Sequence, residues 1–177
     1  GKPQTVFTGK IFSIQRQDVT FKDGTKTVYE YCVRPPSVSV LAFNDANELL
    51  LTKEKRVGYG GKFTWFLPGG RMDHIGDTPK KAALRELREE TGFGAKILKP
   101  ISKKSPGSTL IWDIYTFAAR ELYIDPLPKD KGEIVETHFI ALEKAVDMAL
   151  CGEIDNEFIS YHIIRFNHML KTGEFQW

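Results

Sequence analysis

The chain has 177 residues, 41% of them apolar and 27% charged, with a net charge of +2. That length suits one domain with a core of its own, or one domain with a small appendage. The charge balance offers no general attraction to nucleic acid or to a membrane surface, and no apolar run approaches the ~20 residues that span a bilayer.

From the N-terminus, "VFTGKIFSIQ" and "QDVTF" read as strand, Asp23-Gly24 as a turn, and "KTVYEYCV" as the hairpin partner. Pro35-Pro36 interrupts the pattern and marks a seam, dividing a β appendage over residues 1–35 from a main domain over 36–177. "SVSVLAF", the turn "NDAN" and "ELLLTKE" read as a second hairpin, and "KFTWFL" as a strand stopped by "PGG". After a helix come three strand-like runs, "AKILKP", "TLIWDIYTFAAR" and "EIVETHFIAL". Two helices close the chain: "LEKAVDMAL", ended by Gly152, and one from Asn156 to Lys171, ended by Gly173. Strands mixed with few helices, without strict alternation, indicate an α+β or α/β/α arrangement. Cys32 and Cys151 make no metal or redox spacing and read as free thiols. With no secretory pattern in "GKPQTVFTG", a cytoplasmic location is expected.

The first helix is built against its own electrostatics. Asp77 or Thr78 can cap its start, Pro79 fits its first position and Gly92 fits just past its end. Yet Lys80 and Lys81 crowd the positive end of the dipole, and Glu86, Glu89 and Glu90 crowd the negative end. Ala83, Leu84, Leu87 and Thr91 share the face that packs on a sheet, and Ala82, Glu86, Glu89 and Glu90 share the opposite one. Arg85 lies one turn before Glu89 and can pair with it. Each like-charge pair costs roughly 0.2–0.5 kcal/mol and each misplaced charge about 0.3–1 kcal/mol. Costs that small are compatible with a solvated acidic face. The upstream "FLPGGR" favours another reading: a tight turn brings backbone carbonyls beside clustered carboxylates, an all-oxygen site of the kind magnesium or manganese prefers. A divalent cation reverses the sign of the electrostatic problem.

The stretch "GGRMDHIGDTPKKAALRELREETGF" resembles the Nudix box, G-x5-E-x7-R-E-U-x-E-E-x-G-U with U apolar. Arg85, Glu86, Leu87, Glu89, Glu90, Gly92 and Phe93 match its second half. The first half departs from it: six residues instead of five separate Gly70 from the acidic position, which is Asp77 rather than Glu. The order of elements from Phe7 to Phe166, with "SPG" after the box, resembles the ADP-ribose pyrophosphatase branch.

The resemblance implies a Nudix-like α/β/α sandwich with a mixed sheet, and divalent-metal-dependent hydrolysis of a nucleoside diphosphate-linked substrate. Mg2+ is the implied cofactor and Mn2+ the alternative. Glu86 and Glu90 are the implied metal ligands, with Glu89 a ligand or its neighbour and the carbonyl of Gly69 or Gly70 completing that side. Arg85 is implied to orient a glutamate. The branch places a carboxylate base in a loop before a late strand, here "PKDKGEIVETHF". Glu133 and Glu136 are its candidates; loose matching makes Glu133 a ligand and sets Lys131 where a second loop carboxylate is expected. Arg56 corresponds to an arginine that can contact phosphates, with a surface ion pair the equal alternative. Tyr29 can stack on a base or belong to the core. A homodimer formed through the N-terminal strands is implied as well. Other substrates open to the same chemistry are a dinucleotide, a capped RNA end or an oxidised nucleotide. A non-catalytic nucleotide-binding domain is the third possibility. His162 and His168, six apart on the last helix, read as structural.

Overall fold

The computed structural model describes residues 1–55, 58, 60–128 and 135–177; Arg56 and Glu133 lie outside that set. The N-terminal sheet contains β1 (Gln4–Thr8), β2 (Ser13–Thr20) and β3 (Lys26–Val33). The run read as one strand is divided by a turn in which Gly9 N donates to Phe12 O at 2.9 Å. The Asp23-Gly24 hairpin forms with Thr20 opposite Lys26. This sheet is not built from residues 1–35 alone, because β8 (Leu110–Ile111) pairs parallel with Cys32 and Val33.

The second expected hairpin does not form as a pair. β4 (Ser37–Ala42) lies parallel to β9 (Ile114–Ile124), which in turn pairs antiparallel with β7 (Phe93–Lys104). β5 (Glu48–Lys55) instead lies between β6 (Phe63–Phe66) and β10 (Val135–Ala141), both antiparallel to it. Only a Phe43–Leu49 bridge joins the two strands across the turn. Both are buried on both faces, so each gains more from its own sheet neighbours than from the other.

Period-two alternation then sorts their side chains into two layers. Val38, Val40 and Ala42 of β4, with Leu50 of β5, pack against Ala82, Ala83 and Leu87 of α1 (Pro79–Thr91). The intervening Leu41, Leu49 and Leu51, with Phe43, face α2 (Leu142–Leu150) and α3 (Glu157–Thr172). The result is the α/β/α sandwich, with the strands distributed over a mixed and an antiparallel sheet instead of one. The helix ends follow the sequence signals. Thr78 Oγ1 accepts from Lys81 N, Asn156 Oδ1 accepts from Ile159 N, and Gly92 takes φ 79° to close α1. His162 is structural as read: it is buried, and its Nδ1 sits 2.7 Å from the carbonyl of Phe158, which can only accept. Burial holds the imidazole pKa below its ordinary value.

The α2/α3 layer is locked by an aromatic cluster. Phe166 is 5.5 Å from Phe43, 4.9 Å from Phe175 and 6.2 Å from Trp177. Phe166→Ala should therefore cost about 3–5 kcal/mol and loosen the C-terminal tail. Urea unfolding measures the first effect and limited proteolysis at the tail the second.

Candidate active site

The site begins with a close approach of backbones. Val40 N donates to Pro68 O at 2.8 Å and Val38 N to Gly70 O at 2.9 Å, so the turn after β6 is zipped onto β4. Extended geometry turns the residue between them the other way. The N–H of Gly69 accordingly donates to Glu90 Oε2 at 2.9 Å, on the α1 side. Gly69 has no room for a side chain, since a Cβ would meet the backbone carbonyl of Val38, and a Cβ on Gly70 would displace the carboxylate of Glu86.

The acidic face of α1 is therefore not a solvated surface. Glu86 and Glu90 are only 9% and 7% exposed, inserted between their own helix and the glycine turn. Arg85 binds the group together. Its Nη1 lies 2.9 Å from Glu86 and 2.7 Å from Glu89, while Nη2 reaches Asp77 at 3.4 Å and the carbonyl of Arg71 at 3.1 Å. The lengthened box loop thus still delivers Asp77 to the arginine. Burial outweighs the pull of Arg85 and raises the carboxyl of Glu86 to about 7.

A cavity of about 790 Å3 opens over this cluster, with Glu86, Glu89, Glu90, Gly69 and Gly70 on its wall. Sequence reasoning missed one buried carboxylate there, Glu54, which is 6% exposed and accepts from Thr52 Oγ1 at 2.7 Å. The signal was present, since Leu50, Thr52 and Glu54 alternate onto the strand face that packs on α1. Arg34 and Trp112 also line the cavity and were not anticipated.

Two candidates are placed elsewhere. Val135 reaches the cavity wall, so the next residue on β10, Glu136, falls on the other face. There it is half-exposed and lies 3.5 Å from His138. Tyr29 is exposed on β3 beside Tyr31 at 6.4 Å and does not line this cavity.

The donor chemistry suits a hard divalent cation: buried carboxylates, a glycine turn whose backbone meets Glu90, and a cradle over Glu86 that a Cβ would fill. Among the described residues no three acidic, His or Cys side chains form a closed cage, and Arg85 is the counter-charge of Glu86 and Glu89.

Comparison with known proteins gives a match to the NUDIX domain over residues 33–161. The chain is 30% identical to an ADP-ribose pyrophosphatase of Bacillus subtilis over 166 residues, 90% of this chain and 87% of that protein. It is 31% identical to the ADP compounds hydrolase NudE of Escherichia coli over 134 residues, 73% of this chain and 70% of that one. A crystal structure of an ADP compounds hydrolase superposes with a TM-score of 0.84 at 26% identity, covering 97% of this chain and 93% of that one.

Glu86 makes the metal-free fold sensitive to pH. A carboxyl raised from 4.5 to about 7 on folding contributes stability in full below pH ~4.5, and that stability is lost as pH rises towards ~7. In EDTA, wild type should fall relative to Glu86→Gln by up to about 3 kcal/mol between those limits, and the difference should then level off. Parallel melting curves across pH 4.5–8 check it; curves that stay parallel would remove the burial argument.

Proposed function

Because the chain belongs to the Nudix hydrolase family, we propose that it hydrolyses the pyrophosphate bond of ADP-ribose or a related nucleotide sugar. The products are a nucleoside monophosphate and a sugar phosphate. The observation that carries this reading is the pair of buried carboxylates, Glu86 and Glu90, pressed against the Gly69-Gly70 turn on a cavity wall. The names of the relatives, an ADP-ribose pyrophosphatase and ADP compounds hydrolases, support the substrate class.

Glu86, Glu90 and the Gly69 carbonyl, with Glu89 beside them, would hold Mg2+, or Mn2+ in its place. Such an ion, when bound, neutralises diphosphate charge and lowers the pKa of an attacking water. The chain's own work is positioning. Arg85 holds Glu86 and Glu89 at fixed separation, and Asp77 holds Arg85. On the resemblance to the branch, Glu133 is proposed as a further metal ligand and as the remaining loop candidate for the base, and Arg56 as a phosphate contact. Glu136 is not proposed for the base, since its strand position turns it from the cavity. Cys32 and Cys151 are both free, as suits a reducing cytoplasm, and no described helix is long and apolar enough to cross a membrane.

The N-terminal sheet supports a homodimer. Val6 and Phe7 on β1, with Ile11 and Phe12 in the following turn, are 58%, 54%, 49% and 41% exposed. Several exposed apolar side chains on one small sheet, Phe7 and Phe12 with ring centroids 6.4 Å apart, are the pattern of an interface, and Tyr29 on that sheet would then act beside a partner's cavity. Phe7→Glu should convert the dimer to a monomer in light scattering while leaving the monomer folded. A chain that is monomeric before substitution refutes the dimer.

A panel of ADP-ribose, nucleotide sugars, dinucleotides, capped RNA and oxidised nucleotides, assayed with Mg2+ and with the products identified, tests the reaction. Glu90→Gln should lower turnover by about 10^2–10^4-fold. In EDTA its stability should be level with wild type or about 0.5–1.5 kcal/mol higher, because glutamine keeps an oxygen for Gly69 N–H while removing a misplaced charge. A mutant that is less stable in EDTA yet fully active would make the glutamates structural.

A further inference from the structure

Among the described residues, Arg34 is the arginine of the cavity wall that has no counter-ion. Arg34 follows β3 at the seam between the N-terminal sheet and the main domain, its backbone N–H donating to Ile111 O at 3.0 Å. Its guanidinium lies over the indole of Trp112, 4.1 Å from the ring centroid. The indole is itself fixed: Nε1 donates to the buried Ser37 Oγ at 3.0 Å, and Phe158 of α3 packs within 25° of parallel at 6.3 Å. Among the described residues no carboxylate lies within ion-pairing distance of Arg34, and its buried Nε has no hydrogen-bond partner. The two other arginines on this wall, Arg71 and Arg85, are both paired, with Asp73 at 3.3 Å and with Asp77, Glu86 and Glu89.

We propose that Arg34, held on Trp112, is a substrate-binding residue that takes the phosphate oxygens of a nucleoside diphosphate in this cavity. The proposal rests on the functional reading above and adds a specificity-determining contact to it. A guanidinium stays charged at any working pH and carries a planar fork of donors, and half-buried Arg34 has no anion to engage among the described residues. The diphosphate supplies that anion, and the fork can engage it bidentately. The carboxylates lining the same cavity attract a cation and repel the substrate, so a separate positive group has a defined task. Stacking on a fixed indole pre-organises the side chain, which reduces the rotamer entropy lost when the ligand binds.

The test uses the full-length protein, with ADP as binding probe by calorimetry in EDTA and in Mg2+, and ADP-ribose as substrate in Mg2+. Arg34→Gln should weaken ADP binding and raise KM by about 10- to 100-fold, with kcat changed less than about threefold, since the contact is made equally in ground and transition states. Arg34→Lys, which keeps the charge but not the fork, should bind ADP at least about fivefold more weakly than wild type, and it decides the matter should the glutamine variant not fold. Trp112→Leu should fall between wild type and Arg34→Gln. Unchanged ADP affinity in a folded Arg34 variant overturns the proposal and assigns Arg34 to welding the seam. So does a wild type that binds ADP in neither buffer. If wild type binds ADP through Arg34 yet hydrolyses no ADP-ribose, the functional reading fails and the anion contact stands.

Discussion

Three carboxylates converge on one guanidinium, and the site depends on that convergence. Arg85 pairs with Asp77, Glu86 and Glu89 from within the same helix and its preceding loop. Without it, Glu86, with Glu89 one turn away, would repel its neighbour at the end of a helix whose dipole already opposes both. The arginine offsets that repulsion locally and holds the side chains where an incoming cation would meet them. The same counter-charge pairs with Glu86 and Glu89 at once.

The glycine turn supplies the other half of the constraint. Zipped onto β4 through the carbonyls of Pro68 and Gly70, it approaches α1 so closely that any Cβ at Gly69 or Gly70 would strike Val38 or Glu86. That approach buries two glutamates that the helix pattern alone would leave wet. Burial raises the carboxyl of Glu86, and the same burial strengthens its interaction with a divalent ion in place of water. The cost to the metal-free fold and the capacity to bind thus have one cause.

The sheets place these parts. β4 and β5 are buried on both faces and are covered on one side by α1 and on the other by α2 and α3. Because Leu50, Thr52 and Glu54 share the α1 face, the strand carries a buried carboxylate to the cavity at the point where Glu86 and Glu90 leave the helix. A polar group buried so near the core is hydrogen-bonded there, Thr52 Oγ1 donating to Glu54.

Much of α1 was legible because helix chemistry is local. Caps, i to i+4 pairs and the glutamate spacing lie within one or two turns, so Thr78, Gly92, the Arg85–Glu89 pair and the shared acidic face could be read from residue order. The layers were legible too, since strand runs bounded by turn residues announce themselves. What tertiary structure decided was partnership. "SVSVLAF" and "ELLLTKE" look like neighbours along the chain, yet they belong to different sheets, because strands buried on both faces can pair with any buried neighbour. Alternation along β10 turned Glu136 away from the cavity, and it depends on a register that one sequence does not specify. Whether the acidic face of α1 was wet or buried depended on Gly69 meeting Glu90, 21 positions away. Arg34 and Trp112 carried no signal at all, because the indole is oriented by Ser37, 75 positions distant, and nothing in either local pattern encodes that meeting. Periodicity and capping act through hydrogen bonds and contacts within a few residues, so residue order determined the elements and their acidic face; the cavity is made by surfaces brought together only when those elements pack.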